Sequence, residues 1–316
     1  MKHVRLKNKR SRGDSMKTPW WFMHKTPLAI ILLPVSFIYY FISRLVYFFR
    51  GFRPYKSRRG VICVGNILAG GVGKTPIVRA IATYLDSPVV MRGYKKSAET
   101  GDIGDEASML SRAGLIVHTG DRKSNVILLD KQKKETSPIV MDDGFQNPTV
   151  KKDVSILVFD ESIGYGNGFL LPSGPLREPK KHAACADAII IIQSKTPRKN
   201  FNVPSSVPVF CAKQQTMSPY DEDEKLVAFS GIGYPRKFFK CLTNVVATRA
   251  FPDHYQYTDE DIKNLIALAE KKGAKLITTE KDWVRLPVEV RDEIKYARLD
   301  INIDNRFWDW LQEKIK

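Results

Sequence analysis

Residues 61–79, VICVGNILAGGVGKTPIVR, constrain the fold more tightly than any other stretch of the chain. A short apolar run at 61–64 enters a glycine-rich turn, and the helix expected after the turn opens with Lys74 and Thr75. Glycines let a backbone curl around an anion with its N–H groups inward, and the helix N-terminus adds its positive dipole end. Lys74 is placed to reach the outer phosphates of a nucleotide, and the Thr75 hydroxyl to ligate Mg2+. The nucleotide-binding set is therefore Leu68, Ala69, Gly70, Gly71, Val72, Gly73, Lys74 and Thr75. Leucine at 68 departs from the general phosphate-loop pattern, which has glycine there, and leaves the tight GGxGKT form.

Downstream, apolar runs at 88–91, 115–118, 138–141, 154–159 and 188–192 alternate with helical segments at 76–85, 105–113 and 122–133. That alternation predicts a parallel sheet in an α/β layer fold. The run at 138–141 ends in Asp142-Asp143-Gly144-Phe145-Gln146. Carboxylates at the end of a strand, downstream of a phosphate loop, are where a Mg2+-organising acid belongs. A Gly/Pro-rich loop at 164–179 carries Arg177 and Glu178, and loops of that length are often functional. The polar stretch 213–225 divides the chain into a core at 61–213 and a smaller α/β lobe at 214–316.

The net charge of +17 raises the question of nucleic acid, and the position of the charge answers it. The first 60 residues carry 14 Lys/Arg against Asp14 alone, whereas the remainder holds 37 basic and 33 acidic residues. A nucleic-acid groove needs its charge on the folded body; a basic N-terminal segment fits a membrane surface. Residues 28–49, LAIILLPVSFIYYFISRLVYFF, would as one helix extend about 33 Å against a hydrocarbon core of about 30 Å. Trp20, Trp21, Tyr39 and Tyr40 suit an interfacial belt, and the basic cluster after the run places the body in the cytoplasm. Residues 1–60 are thus read as a basic leader, with Met16 an alternative start, and a membrane-anchor helix, spanning or interfacial. Four separated cysteines read as reduced, mostly buried thiols of a cytosolic protein.

Eight motifs in order, GNILAGGVGKTP (65–76), RGY (92–94), GDE (104–106), DDGFQN (142–147), LLPSGPLREP (170–179), FSGIGYP (229–235), FPDHYQY (251–257) and TTEKD (278–282), resemble the tetraacyldisaccharide 4'-kinase (lipid A 4'-kinase) family of Gram-negative bacteria. The resemblance implies a P-loop NTPase-type core with a smaller lobe and the active site between them. It implies a kinase at the cytoplasmic face of the inner membrane, using ATP and Mg2+ to phosphorylate the 4'-hydroxyl of a tetraacylated disaccharide 1-phosphate, with no nucleic acid and no obligate protein partner. It also implies an Asp–His catalytic pair, here Asp105 and His254. Read without it, Asp105 is a helix N-cap and His254 a loop residue. Asn147, Ala107 and Tyr255 stand where the family often has His, Pro and His.

Loose, anionic phosphoryl transfer asks for positioning and charge neutralisation. Lys74 and the loop amides form the cradle, Thr75 with Asp142 or Asp143 the Mg2+ site, and Gln146 joins the nucleotide contacts. Asp105 accepts the hydroxyl proton. Arg122 and Arg177 are assigned to the γ-phosphate or the substrate 1-phosphate. The rival reading is a partition- or metallochaperone-type P-loop ATPase, whose loop carries a signature lysine where this chain has Ala69.

Overall fold

The computed structural model describes residues 19–93, 104–132, 134–199, 201–233, 235–253 and 255–316. Of the expected features, His254, Tyr94 and the basic leader before 19 lie outside them. Chain order runs through helices α1 (Pro27–Ile31) and α2 (Leu33–Arg50), then β1 (Val61–Gly65), α3 (Lys74–Tyr84), β2 (Val89–Met91), α4 (Asp105–Arg112), β3 (Val117–Thr119), α5 (Arg122–Asp130), β4 (Ile139–Asp142), β5 (Val154–Asp160), β6 (Ala188–Ile192) and β7 (Val209–Met217). It continues with β8 (Leu226–Ser230), α6 (Pro235–Phe239), β9 (Val245–Ala250), α7 (Asp259–Lys272), β10 (Lys275–Thr279), α8 (Glu280–Trp283), β11 (Lys295–Ile303) and α9 (Asn305–Ile315).

The expected α/β fold with a large parallel sheet is present. Among the described residues eleven strands form one sheet in the order β3-β2-β4-β1-β5-β6-β7-β11-β10-β8-β9. Every neighbouring pair is parallel except β7 with β11. Seven strands thus belong to one parallel sheet and four to another, joined along an antiparallel seam. Strands β1, β4 and β5 are buried along their whole length, which is why they read as unbroken apolar runs.

The division drawn at 213/214 falls inside β7, which runs on to Met217 and pairs with β11 from Ala212 to Met217. The polar Lys213-Gln214-Gln215-Thr216 stretch is strand: on one face of β7 Phe210 and Ala212 are buried and Gln214 and Thr216 half-buried, and on the other Lys213 and Gln215 are exposed. The chain also returns: Ile303, Phe307 and Leu311 pack into the core built around β1, β5 and β6. The smaller lobe has its own apolar core of Val227, Phe229, Ile262, Leu265, Trp283 and Leu286.

The apolar run at 28–49 is not one helix. It breaks at Leu32, the C-cap of α1 and the N-cap of α2. Pro34 is the cause: it lacks the N–H that would continue α1 and its ring crowds the preceding turn. Among the described residues no helix is long and apolar enough to cross a membrane. The pair is seated on the 164–179 loop instead. Ser36 Oγ donates to Leu170 O (2.9 Å) and shares a hydroxyl–hydroxyl hydrogen bond with Ser173 Oγ (2.7 Å), and Asn167 Nδ2 donates to Trp21 O (2.8 Å). Ala29 and Ser36 face inward, while Phe37, Phe41, Phe48 and Phe49 are exposed.

Cysteine burial also differs from expectation: Cys63 alone is buried, and Cys185, Cys211 and Cys241 are exposed. Burial pushes the Cys63 thiol up to about 12, so it carries almost no thiolate at neutral pH. A thiol-specific disulfide reagent should titrate three thiols in the native protein and the fourth only after denaturation; four at native rates would contradict the buried position of Cys63 on β1.

Candidate active site

The glycine-rich loop leaves β1 at Gly65 and closes onto α3 at Gly73, whose φ of +78° is the left-handed conformation that glycine adopts without strain. A Cβ at Gly73 would also lie 2.7 Å from Gln214 Nε2 and 3.0 Å from Ile192 Cδ1. The nucleotide-binding set separates into two parts. Leu68 is buried and bridges Leu176, and Ala69 donates its N–H to Pro175 O at 2.7 Å. Arg177 N–H in turn donates to Ile67 O at 2.8 Å, so the 170–179 loop is zipped along the first half of the phosphate loop. Gly70 and Gly71 are exposed, with no atom near where a Cβ would stand. Val72 is buried, and Lys74 and Thr75 begin α3.

Asp142 and Asp143 arrive beside this loop because β4 is β1's parallel neighbour, with Val64 in register with Asp142. Asp142 is buried, its Oδ1 has no hydrogen-bond partner, and burial above all pushes its pKa up to about 7. Lys74 works against that rise, while Glu106 and Asp143 add to it. Asp143 turns the other way. Its φ is +49°, a left-handed position that Asp tolerates better than most residues. Its carboxylate meets Lys74 Nζ at 3.3 Å and Arg177 Nη1 at 2.9 and 3.1 Å. Burial raises the pKa of Asp143, but Lys74 and Arg177 outweigh it and the net shift is downward.

Arg122 is no solvated surface arginine. It is buried, its pKa is lowered chiefly by burial, and Nη2 donates to the backbone oxygens of Asp142 and Asp143, both at 2.9 Å. Gln146 Nε2 donates to Asn66 O at 2.8 Å. The Asn66 side chain is fully buried with both polar atoms unpaired; the sequence reading passed over it. Glu178 pairs with His182 at 3.0 Å.

Asp105 is the first residue of α4, and Gly104 is the N-cap. Its carboxylate is gripped by Arg285, whose Nε donates to Oδ2 at 2.9 Å and whose Nη2 donates to the same oxygen. Arg285 went unremarked in the sequence. Asp282 is fully buried. It accepts from Ser230 Oγ (2.7 Å), Gly231 N (2.9 Å), Tyr257 OH (3.0 Å), Thr279 Oγ1 (2.7 Å) and Arg285 Nη1 (3.3 Å). The signal that finds it is Thr279 three residues before an acid, a helix-start pairing.

A glycine loop between a buried parallel strand and a helix, with its lysine on a carboxylate from the neighbouring strand, defines a P-loop nucleotide-binding enzyme. The family model described as tetraacyldisaccharide-1-P 4'-kinase matches residues 28–316, and the chain belongs to that family of kinases. A tetraacyldisaccharide 4'-kinase of Rickettsia bellii is 36% identical over 94% of this chain and 97% of its own length. That of Rickettsia akari is 34% identical over 94% and 96%. The crystal structure of LpxK from Aquifex aeolicus in complex with ATP superposes with a TM-score of 0.73 at 25% identity, covering 92% of this chain and all of that one.

The raised Asp142 pKa has a consequence for stability. The folded state holds this proton more tightly than the unfolded chain, so its contribution is complete at pH below the ordinary Asp value and is lost as pH rises to about 7. Asp142→Asn, neutral at every pH, should gain in melting temperature relative to the native protein between about pH 4 and 7, with the difference level above that window. A difference that does not change with pH would show that Asp142 titrates normally.

Proposed function

We propose that this chain transfers the γ-phosphoryl group of ATP to the 4'-hydroxyl of a tetraacyldisaccharide 1-phosphate at the cytoplasmic face of the inner membrane. The observation that carries the reading is the meeting of Lys74, at the head of α3, with the strand-end acids of β4. The exposed amides of Gly70 and Gly71, with Lys74, cradle the phosphates. Thr75 with Asp142 or Asp143 would hold Mg2+, and the orphaned, buried Asp142 Oδ1 fits a cation ligand. Bound there, the ion would neutralise charge developing on the phosphates.

Arg122 serves by fixing the backbone of both acids, and Arg177 by holding Asp143 anionic beside Lys74. Asp105 takes the proton of the sugar hydroxyl, and His254, outside the described residues, is the second member of the catalytic pair that the family resemblance implies. Lys74→Ala should lower turnover at least about 100-fold, and full activity would remove the cradle assignment. Asp105→Asn should lower kcat while leaving KM for ATP in place. The assay is phosphate transfer from ATP to a lipid disaccharide in detergent. Turnover stimulated by DNA without lipid phosphorylation would favour the partition-type ATPase.

The apolar side of α2 is the membrane contact in this reading. Phe37, Phe41 and Phe48 are exposed on it, and Arg50, Arg53 and Lys56 follow within eight residues of Phe48, the composition of an interfacial helix. Replacing the three phenylalanines with serine should shift the protein from sedimenting with anionic vesicles to the supernatant. These side chains do not face the core, so the melting temperature should stay within a few degrees. Unchanged sedimentation would place the contact elsewhere.

A further inference from the structure

We infer that Arg285 is a positioning residue for phosphoryl transfer: reaching from the smaller lobe, it fixes the carboxylate of Asp105 in the orientation from which it accepts the sugar proton. The inference rests on the reading of Asp105 as that acceptor. Its physical basis is that Arg285 has no electrostatic need of Asp105. The guanidinium is almost fully buried, and its charge is already balanced by Asp282, which is fully buried, and by Gly231 O, an acceptor for Nη1 at 3.2 Å. Asp282 is itself held by the hydroxyls of Ser230, Tyr257 and Thr279 and by the Gly231 amide. The arginine is thus a fixed fork, immobilised from behind, whose Nε and Nη2 edge points at Asp105.

Asp105 is the more open partner, with 22% of its side chain exposed against 2% for Arg285. Nε and Nη2 both engage Oδ2. As the sugar oxygen bonds to the γ-phosphorus and the bond to the ADP oxygen breaks, the hydroxyl proton passes to the Asp105 carboxylate held in this way. A second contact holds the same helix in place. Arg112, at the end of α4, lies 4.2 Å from the centre of the Trp283 ring on α8. Asp105 therefore rides on a helix docked against the smaller lobe at both ends, although in sequence it belongs to the larger one.

A double-mutant cycle on the full chain tests this, measuring lipid phosphorylation, KM for ATP and melting temperature. Arg285→Met should lower kcat roughly 100-fold, the scale of a misplaced catalytic group, with KM for ATP unchanged. Arg285→Lys, which keeps the charge but lacks the two-donor edge, should recover part of that loss and serves if the Met variant does not fold. In an Asp105→Asn background neither substitution should cost a further factor, because there is no base left to position. Equal losses in the native and Asp105→Asn backgrounds would overturn the inference and leave Arg285 a structural residue. An Asp105→Asn variant with native kcat would overturn the prior reading of Asp105 instead, and is scored before the cycle is closed.

Discussion

The ion pair between Lys74 and Asp143 joins the two strand ends from which the site is made. It is shared with Arg177, so three separate segments, the phosphate loop, the β4 turn and the 170–179 loop, meet on one carboxylate. Adjacent acids in such a place cannot be equivalent. Asp143 faces two cations and stays ionised, whereas Asp142, buried and without a partner on Oδ1, is pushed up to about 7. Environments that drive neighbouring pKa values apart also separate roles. Asp143 organises the protein around Lys74, and Asp142 holds the unsatisfied oxygen that a cation would complete.

What the sequence made legible follows from local physics. The glycine loop, the buried runs of β1, β4 and β5 and the acids after β4 carry signals within a few residues: special backbone angles, unbroken apolar composition, a change of polarity at a strand end. The β7 strand carried none of these. Half exposed along the seam between two sheets, its polar Lys213, Gln214 and Gln215 carry no apolar alternation, and only pairing with β11, more than eighty residues on, makes it a strand. Arg285 was invisible for a similar reason. Asp282 stands three residues before it, a spacing common on surface helices, and its other named partners, Asp105 and Gly231, are far away in sequence. The burial of Arg122 likewise comes from the turn after β4, twenty residues on, whose backbone oxygens it holds.

The break in the N-terminal apolar run shows the reverse case, a local signal with a nonlocal outcome. Pro34 forbids one continuous helix, but what positions the two pieces is the buried hydrogen bond from Ser36 to Ser173 and the grip of Asn167 on Trp21. These tie α2 to the loop that also supplies Arg177 to Asp143. The proposed membrane contact and the phosphate site are therefore two ends of a single loop, residues 167–177. This gives a physical reason for a long segment without regular structure to be ordered: its polar groups are matched partly within the loop, as Asn167 Nδ2 with Ser173 O and Leu171 N with Leu176 O, and partly by Ser36, Trp21 and Ile67 outside it.

The four-residue helix α8 resolves how a site split between two lobes stays in register. Glu280, its first residue, forms a buried ion pair with Arg79 of α3 at 3.2 Å, and Arg79 Nη2 also donates to Leu299 O on β11. Asp282, two residues later, secures Arg285, which grips Asp105 of α4. One short helix of the smaller lobe thus touches both the helix that begins with Lys74 and the helix that begins with Asp105. A buried pair such as Arg79–Glu280 adds little net stability over apolar packing, but losing either partner strands a charge in the interior. Its strength is therefore geometric. It penalises any sliding of the lobes that would draw Lys74 away from Asp105, the residues proposed as phosphate cradle and proton acceptor.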